Sequence, residues 1–488
     1  MYLAVIRLHA SDTVRAHSET AREAEAAMAM TAGAETGTET AKDPVVIVGG
    51  GMAGLACAYR LVTAGVPVRL IEASREFGGR VHTTMYDGLP VDDGFQVLFR
   101  AYPETRRLMD DVGFSKDRLR YYDRGAICYT YGVPFTFGAD PRVLVAFPLM
   151  TLADKTRLGL LAAAVLRTSN SDIWNDTEDE PTETYLRRFG FSKDAIEQFF
   201  RPFFAGILLN PSLDTSSKDF RFIYRMLVSG GTFTTPEGIG AIPAQIAAAI
   251  RARGGILDTQ TGVRRLLLSE DRTRVTGISV LRVGGGVEEI TARAVVVALP
   301  GPEAQRLFAE VDPAVANHIP VAGLASTTVA WKLSRPLYRE KKILLNVDAL
   351  AGQRRMERGF HLAGQITNIS HPDGTGRGHV LIVASVAEAC ADAHYRTEEL
   401  PREALATLAK WFPRSGVEAD AELLDVRYIP FAQFAQPPGT RERLPANLTR
   451  LPNLIAAGEY TEYSSVEGAV VSGTRAAEHL RAALTRTR

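Results

Sequence analysis

Largely apolar runs, rather than alternating ones, mark most of the recognisable elements of this chain. Val45-Val46-Ile47-Val48, Val68-Arg69-Leu70-Ile71, Ala294-Val295-Val296-Val297-Ala298-Leu299 and Leu454-Ile455-Ala456-Ala457 are short, and most are closed by glycine or proline. Such runs predict strands buried on both faces, as in a parallel sheet covered by helices. Helical runs follow the first and the last of them, from Met52 onward and from about Val466 to Leu484; a third spans Gln245 to Arg253 and stops at Gly254-Gly255. Ile256-Leu257, Gly262-Val263 to Leu268, Arg274 to Val283 and Glu288 to Ile290 have the length and branching of strands joined by turns. Strand, glycine and helix thus recur at both chain ends, with unlike material between. This predicts a discontinuous α/β domain (43–125, 236–300 and 441–488) into which a second domain (126–235 and 301–440) is inserted.

The middle of the chain concentrates aromatic and aliphatic residues at Pro134-Phe135-Thr136-Phe137, Phe147-Pro148-Leu149-Met150 and Phe199-Phe200-Arg201-Pro202-Phe203-Phe204 through Leu209. Such clusters either line an apolar chamber or form ordinary core. Arg124, Arg142, Lys155 and Arg157 flank the apolar segments from Phe135 to Leu166, a string that suits a helix on an anionic membrane surface and equally a solvated charged face. The longest apolar stretches, Val143 to Met150 and Leu158 to Leu166, fall short of the roughly 18 residues that span a bilayer. Residues 1–42 are rich in Ala, Thr and Glu and are expected to be disordered. Asp12, Glu19, Glu23 and Glu25 argue against an organelle transit peptide, and Met1 to Ile6 is too short for a secretory signal.

Composition narrows the function by exclusion. With 56 basic and 56 acidic residues in 488, the chain carries no net field to draw in nucleic acid. Cys57, Cys128 and Cys390 are too few and too scattered for a disulfide framework or a zinc site, which fits a reducing, cytoplasmic compartment. Cys57 sits where a small apolar residue is expected in the first helix and reads as packing. The nine histidines are dispersed, and no Ser-His-Asp order, paired carboxylate spacing or metal-ligand cluster stands out.

The chemistry lies instead between Asp43 and Gly94. Gly49, Gly51 and Gly54 fall where a side chain would block the strand-to-helix turn, a pyrophosphate or strand packing, with Met52 and Ala53 opening the helix whose free N–H groups face a diphosphate. Glu72, followed by Ala73, ends the second apolar run eighteen residues beyond Gly54, where a carboxylate accepts both hydroxyl protons of an adenosine ribose and repels a 2′-phosphate. Gly78-Gly79-Arg80 completes the series.

These motifs, in this order, resemble the flavin-containing amine oxidoreductase superfamily, which includes monoamine oxidases, protoporphyrinogen oxidases and the phytoene and carotene desaturases. The resemblance runs from about Val45 to Leu480. It implies a Rossmann-like FAD-binding domain of the GR2/PHBH type with an inserted mixed α+β substrate domain. It further implies that Gly79 and Arg80 meet the flavin pyrophosphate, that Val263 places its backbone on the adenine, and that Glu459 after Gly458 holds the ribityl chain. The helix with Glu467, Gly468 and Ala469 in its first turn would aim its N-terminus at the flavin pyrimidine edge, where reduction places negative charge.

Two departures bear on the branch. The position of the lysine that amine-oxidising members hold near flavin N5 falls on Thr328, with Lys332 nearer the strand end. Where those enzymes place a cage tyrosine, this chain has Ser465. The closing segment Ala457-Gly458-Glu459-Tyr460 through Ser472-Gly473 looks like the end of phytoene and carotene desaturases. The resemblance therefore implies an FAD-dependent oxidoreductase that dehydrogenates a hydrophobic small molecule of isoprenoid class, passing electrons to oxygen or a membrane quinone. An amine or porphyrinogen oxidase and a non-catalytic flavin protein stay open as alternatives, as do peripheral contact with a membrane and the identity of the catalytic residues.

Overall fold

The computed structural model describes residues 43–94, 97–350, 362–365 and 378–486. The disorder expected for 1–42 lies outside them. The chain divides into two compact units. One is built from residues 43–79, Pro243–Val321 and the segment from Arg443 onward; the other from Arg80–Ile242 and Ala322–Glu442. The sequence boundaries at 125, 236, 301 and 441 and these divisions therefore allot 80–125, 236–242, 301–321 and 441–442 differently.

The first unit is an open parallel sheet. Its strands run in the spatial order Ile256–Asp258, Val68–Ile71, Val45–Val48, Ala294–Val297 and Leu454–Ala456. All four residues of Val45–Val48 and of Ala294–Val297 are buried, as unbroken apolar runs require. The chain moves outward from Val45–Val48 on one side to Val68–Ile71 and Ile256–Asp258, then returns to the other side with Ala294–Val297. That reversal is a topological switch point of an open α/β sheet, and ligands bind at the carboxyl ends of the strands beside such a point. Helix Met52–Thr63 covers one face, and the long helix Val466–Arg486 packs on it so closely that a Cβ at Gly473 would sit 2.1 Å from the Ala53 carbonyl oxygen. A separate antiparallel sheet, Thr261–Leu268, Val275–Arg282 and Val287–Thr291, bridges the third and fourth parallel strands along the chain.

The second unit is built on a seven-stranded mixed sheet whose long members are Gly323–Leu333, His379–Ser385 and Glu422–Phe434. Helices such as Leu152–Arg167, Arg201–Leu208 and Ser217–Gly230 pack over one side. The clusters around Phe147 and residues 199–204 resolve here as core, with Phe135 and Phe137 partly buried against it. Phe147, Phe199, Phe200, Phe204 and Phe220 are buried together, with Phe137 and Phe199 ring centroids 4.3 Å apart. A small hairpin, Thr83–Tyr86 with Leu89–Asp92, follows Arg80 and packs Leu89 and Val91 against Ala330, Val380 and Ile382 of the large sheet.

Candidate functional site

In the first unit the residues singled out by motif gather at the switch point. Strand Val45–Val48 runs into Gly49, whose φ of +106° and a Cβ position 2.3 Å from the Ala298 carbonyl oxygen exclude any side chain. Gly54 presses on Gly49 itself, its Cβ position lying 1.9 Å from the Gly49 carbonyl oxygen, so the helix seats directly on the strand end. Gly51 differs from both: nothing lies within 4 Å of where its Cβ would be. Open space over an extended N-cap glycine, at the positive end of helix Met52–Thr63, is the geometry a diphosphate needs. Gly78 donates its N–H to the Gly50 carbonyl at 2.8 Å, and a Cβ on Gly79 would come within 3.3 Å of Gly51 Cα, so the second glycine pair walls this space.

Glu72 stands beside the same turn. Its Oε2 accepts the Gly50 N–H and its Oε1 the Ser74 N–H, both at 2.7 Å. Two backbone donors fix the carboxylate in orientation and leave lone pairs for the hydroxyls of a ribose. Ala73, next in line, is exposed. The Thr261 N–H donates to the Glu72 carbonyl at 2.9 Å, which brings strand Thr261–Leu268 alongside. That strand breaks register between Val263 and Arg265, and the break sits beside the backbone of Val263.

The C-terminal motif closes the same end of the sheet. Ala457 N–H follows Val297 O at 2.9 Å, and Gly458, at φ +152°, turns the chain where a Cβ would strike the Tyr460 ring. Glu459 is buried and accepts the Ser464 hydroxyl at 2.8 Å. Ser465 caps the last helix, its Oγ accepting the Gly468 N–H at 2.8 Å, and the Gly468 Cβ position lies 2.1 Å from the Tyr463 carbonyl oxygen. Glu467 is buried in that first turn, with Ala469 following it. Cys57 is buried in the first helix and burial pushes its thiol far up, as a packing residue requires.

The second unit holds the other predicted residues. Arg80 donates from Nη1 to the Ala432 carbonyl at 2.8 Å, with its guanidinium 5.9 Å from the Phe431 ring centroid. Thr328 donates its hydroxyl to the Asp93 backbone carbonyl at 3.2 Å. Lys332, four residues further and next to the last residue of the strand, is 32% exposed and pairs with Glu422 at 3.2 Å. Arg201 is buried, held by Glu183 at 2.6 Å, Glu197 at 3.1 Å and the Pro211 carbonyl, so it serves as an internal anchor.

The sequence marks His82, Thr83 and Asp92-Asp93 beside the Arg80 motif, but not the polar cluster they form on the hairpin. Asp93 Oδ2 lies 2.9 Å from His82 Nδ1 and its Oδ1 is 2.5 Å from Arg427. Burial acts to raise this carboxyl, but His82 and Arg427 outweigh it and hold it below its ordinary range. Asp92 beside it accepts from Thr83 Oγ1 and the Ile239 N–H, yet burial pushes it up to about 7. The pair Asp92-Asp93 is visible in the sequence, but partners more than 140 residues away are not. No group of three or more His, Cys, Asp or Glu among the described residues is placed to hold a metal ion.

The family model for flavin containing amine oxidoreductase matches residues 52–481. The chain belongs to that family. It is accordingly an FAD-dependent oxidoreductase, and its glycine turn, its open position at Gly51 and its oriented Glu72 fit a dinucleotide. A probable zeta-carotene desaturase of Synechococcus elongatus is 25% identical over 89% of this chain and 98% of its own length. Protoporphyrinogen oxidase 2 of Arabidopsis thaliana is 26% identical over 42% of this chain, and the match spans 39% of that protein. In fold, the chain is similar to an oxidoreductase from Methanosarcina mazei, with a TM-score of 0.68 at 18% identity over 89% of this chain and all of that one. The α/β architecture expected of this amine oxidoreductase family, a Rossmann-like FAD-binding domain with a substrate domain, is therefore the one observed.

Proposed function

We propose that this family member dehydrogenates a hydrophobic small molecule of isoprenoid class, introducing a carbon–carbon double bond. The observation that carries the reading is Thr328. Where an amine oxidase needs a lysine, this strand has a hydroxyl already donated to the Asp93 carbonyl, and the lysine four residues on is spent on Glu422. Ser465, in the cage-tyrosine position, is likewise committed to capping a helix. An amine therefore lacks both of its usual supports, whereas an apolar substrate needs neither. The near full-length match to a carotene desaturase agrees.

In this reading Gly49, Gly51, Met52, Ala53, Gly54, Gly79 and Arg80 hold the pyrophosphate of FAD. Glu72 and Ala73 receive the adenosine ribose, and the Val263 backbone the adenine. Gly458 and Glu459 take the ribityl chain, while Glu467, Gly468 and Ala469 present the helix N-terminus to the pyrimidine edge. Bound FAD supplies a hydride acceptor. The protein's own part is to fix the cofactor, keep water away and accept the one proton that the substrate loses beside the hydride. Electrons then leave to oxygen or to a membrane quinone, and an exposed apolar face on helix Leu152–Arg167 supports peripheral contact with an anionic membrane.

Anaerobic titration of the flavin-loaded protein tests the substrate class. Carotenoid precursors are expected to bleach the flavin and amines to leave it oxidised. Bleaching by amines overturns the reading, bleaching by porphyrinogens alone moves the chain to the porphyrinogen oxidases, and a flavin that no donor bleaches removes catalysis.

A further inference from the structure

The hairpin that follows Arg80 is pinned by two consecutive aspartates that the structure treats in opposite ways. Asp93 holds His82, two residues from Arg80, through a charged contact backed by Arg427. Asp92 holds Thr83, three residues from Arg80, through Oδ1, which accepts the Thr83 hydroxyl at 2.6 Å. The same Oδ1 accepts the Ile239 N–H at 3.0 Å, and Thr83 Oγ1 accepts the Gly240 N–H at 2.9 Å. The knot is tight: a Cβ on Gly238 would lie 2.7 Å from Asp92 Oδ1 and 2.3 Å from Thr83 Cγ2.

Asp92 is only 2% exposed, and its second oxygen, Oδ2, is buried with no hydrogen-bond partner among the described residues. The Tyr122 hydroxyl, which couples electrostatically to Asp92, is buried without a partner in the same way. A buried, unpartnered carboxylate oxygen is costly, and a proton on it removes the charge that makes it so. Among the described residues, the charged and titratable groups that act on Asp92 include Asp93 and His82 beside its hairpin and Tyr122 on the segment after it.

We propose that Asp92 is a positioning residue for the Arg80 segment, working as the neutral acid, and that its ionisation slackens the segment and weakens FAD binding. Asp92 and Asp93 then divide the labour. The charged one orients His82, and the uncharged one ties Thr83 to the turn before helix Ala241–Arg251 without stranding a charge. Burial places the transition near pH 7, so the neutral, binding form prevails below it and the ionised form above. The inference rests on FAD as cofactor and on Arg80 as a pyrophosphate ligand, and is independent of the substrate class.

The test is the affinity of the flavin-stripped protein for FAD, read by flavin fluorescence from pH 6 to 8.5, in wild type, Asp92→Asn and Asp92→Ala. The amide copies the shape and donor pattern of the neutral acid. Wild-type affinity is expected to fall with rising pH by up to about tenfold per unit above 7. Asp92→Asn should bind FAD with a flat profile in this range, and Asp92→Ala should bind weakly throughout. Parallel profiles in wild type and Asp92→Asn overturn the proposal. Should Asp92→Asn not fold, infrared spectra of wild type decide: a protonated-carboxyl band that bleaches across this range supports the proposal, and its absence at pH 6 refutes it. Failure to bind FAD at every pH would instead sink the cofactor assignment itself.

Discussion

At the scale of single residues, three glycines of one motif do three different things, and substitution separates them. Gly49 combines positive φ with a carbonyl 2.3 Å from its Cβ position, so Gly49→Ala is expected to destabilise the fold by about 2 kcal/mol or more, measured by denaturant unfolding of the flavin-free protein. Gly51 meets nothing, and its extended backbone suits any residue. Gly51→Leu should therefore keep flavin-free stability within about 1 kcal/mol of wild type, a cost confined to the helix cap, while losing FAD affinity by two orders of magnitude or about that. A large loss of stability in Gly51→Leu would mean the space is structural and not meant for a ligand. Asp92 adds a pH signature. Its folded value of about 7 exceeds the 3.8 of the free side chain, so its contribution is complete below 3.8 and is lost as pH rises through 7. Stability should decline over that window by at most about 4 kcal/mol, and Asp92→Asn should flatten the decline in thermal melts.

At the scale of elements, legibility followed the range of the interactions. Val45–Val48, Ala294–Val297 and Leu454–Ala456 are buried on both faces and announce themselves by composition alone, and Gly49, Gly51 and Gly54 act within the turn they encode. The 261–291 sheet was readable because each strand ends in its own turn. What stayed hidden is non-local. Nothing near Asp93 signals Arg427, nothing near Thr83 signals Gly240, and the aromatic segments around Phe199 carry the same pattern whether they line a chamber or fill a core. Strand Gly323–Leu333 shows the gain from seeing the partners. The sequence alone puts Lys332 toward the strand end, and the structure pairs it there with Glu422. Lys332→Ala should then leave the rate of anaerobic flavin reduction within about twofold of wild type, since an exposed pair contributes roughly 0–1 kcal/mol. A hundredfold drop in stopped-flow would restore the amine oxidase reading.

At the scale of the whole molecule, balance of charge decides how the protein can meet a surface. With equal numbers of acidic and basic residues there is no global field to steer it toward an anionic bilayer, so any attachment must come from a local patch. Helix Leu152–Arg167 provides one. Its inner side buries Leu158, Leu161 and Val165, yet its outer side shows Leu152 at 72% and Leu160 at 59% exposure, with Val145 of the preceding helix at 65%. A helix apolar on both sides is suited to an interior or a membrane rather than to water. The carboxylate of its first turn, Asp154, is buried in the cap, so the other charges on this helix are all basic: Lys155, Arg157 and Arg167. No helix among the described residues is long and apolar enough to cross a bilayer, so this contact would lie on the surface. Attachment built this way depends on apolar area more than on charge. Co-sedimentation with anionic vesicles should therefore survive 0.5 M salt, roughly a condition in which charge attraction is screened within a few ångströms, and should be abolished in Leu152→Glu/Leu160→Glu while thermal stability is unchanged. Binding that vanishes with salt, or that persists in the double variant, would show that this helix is not the contact.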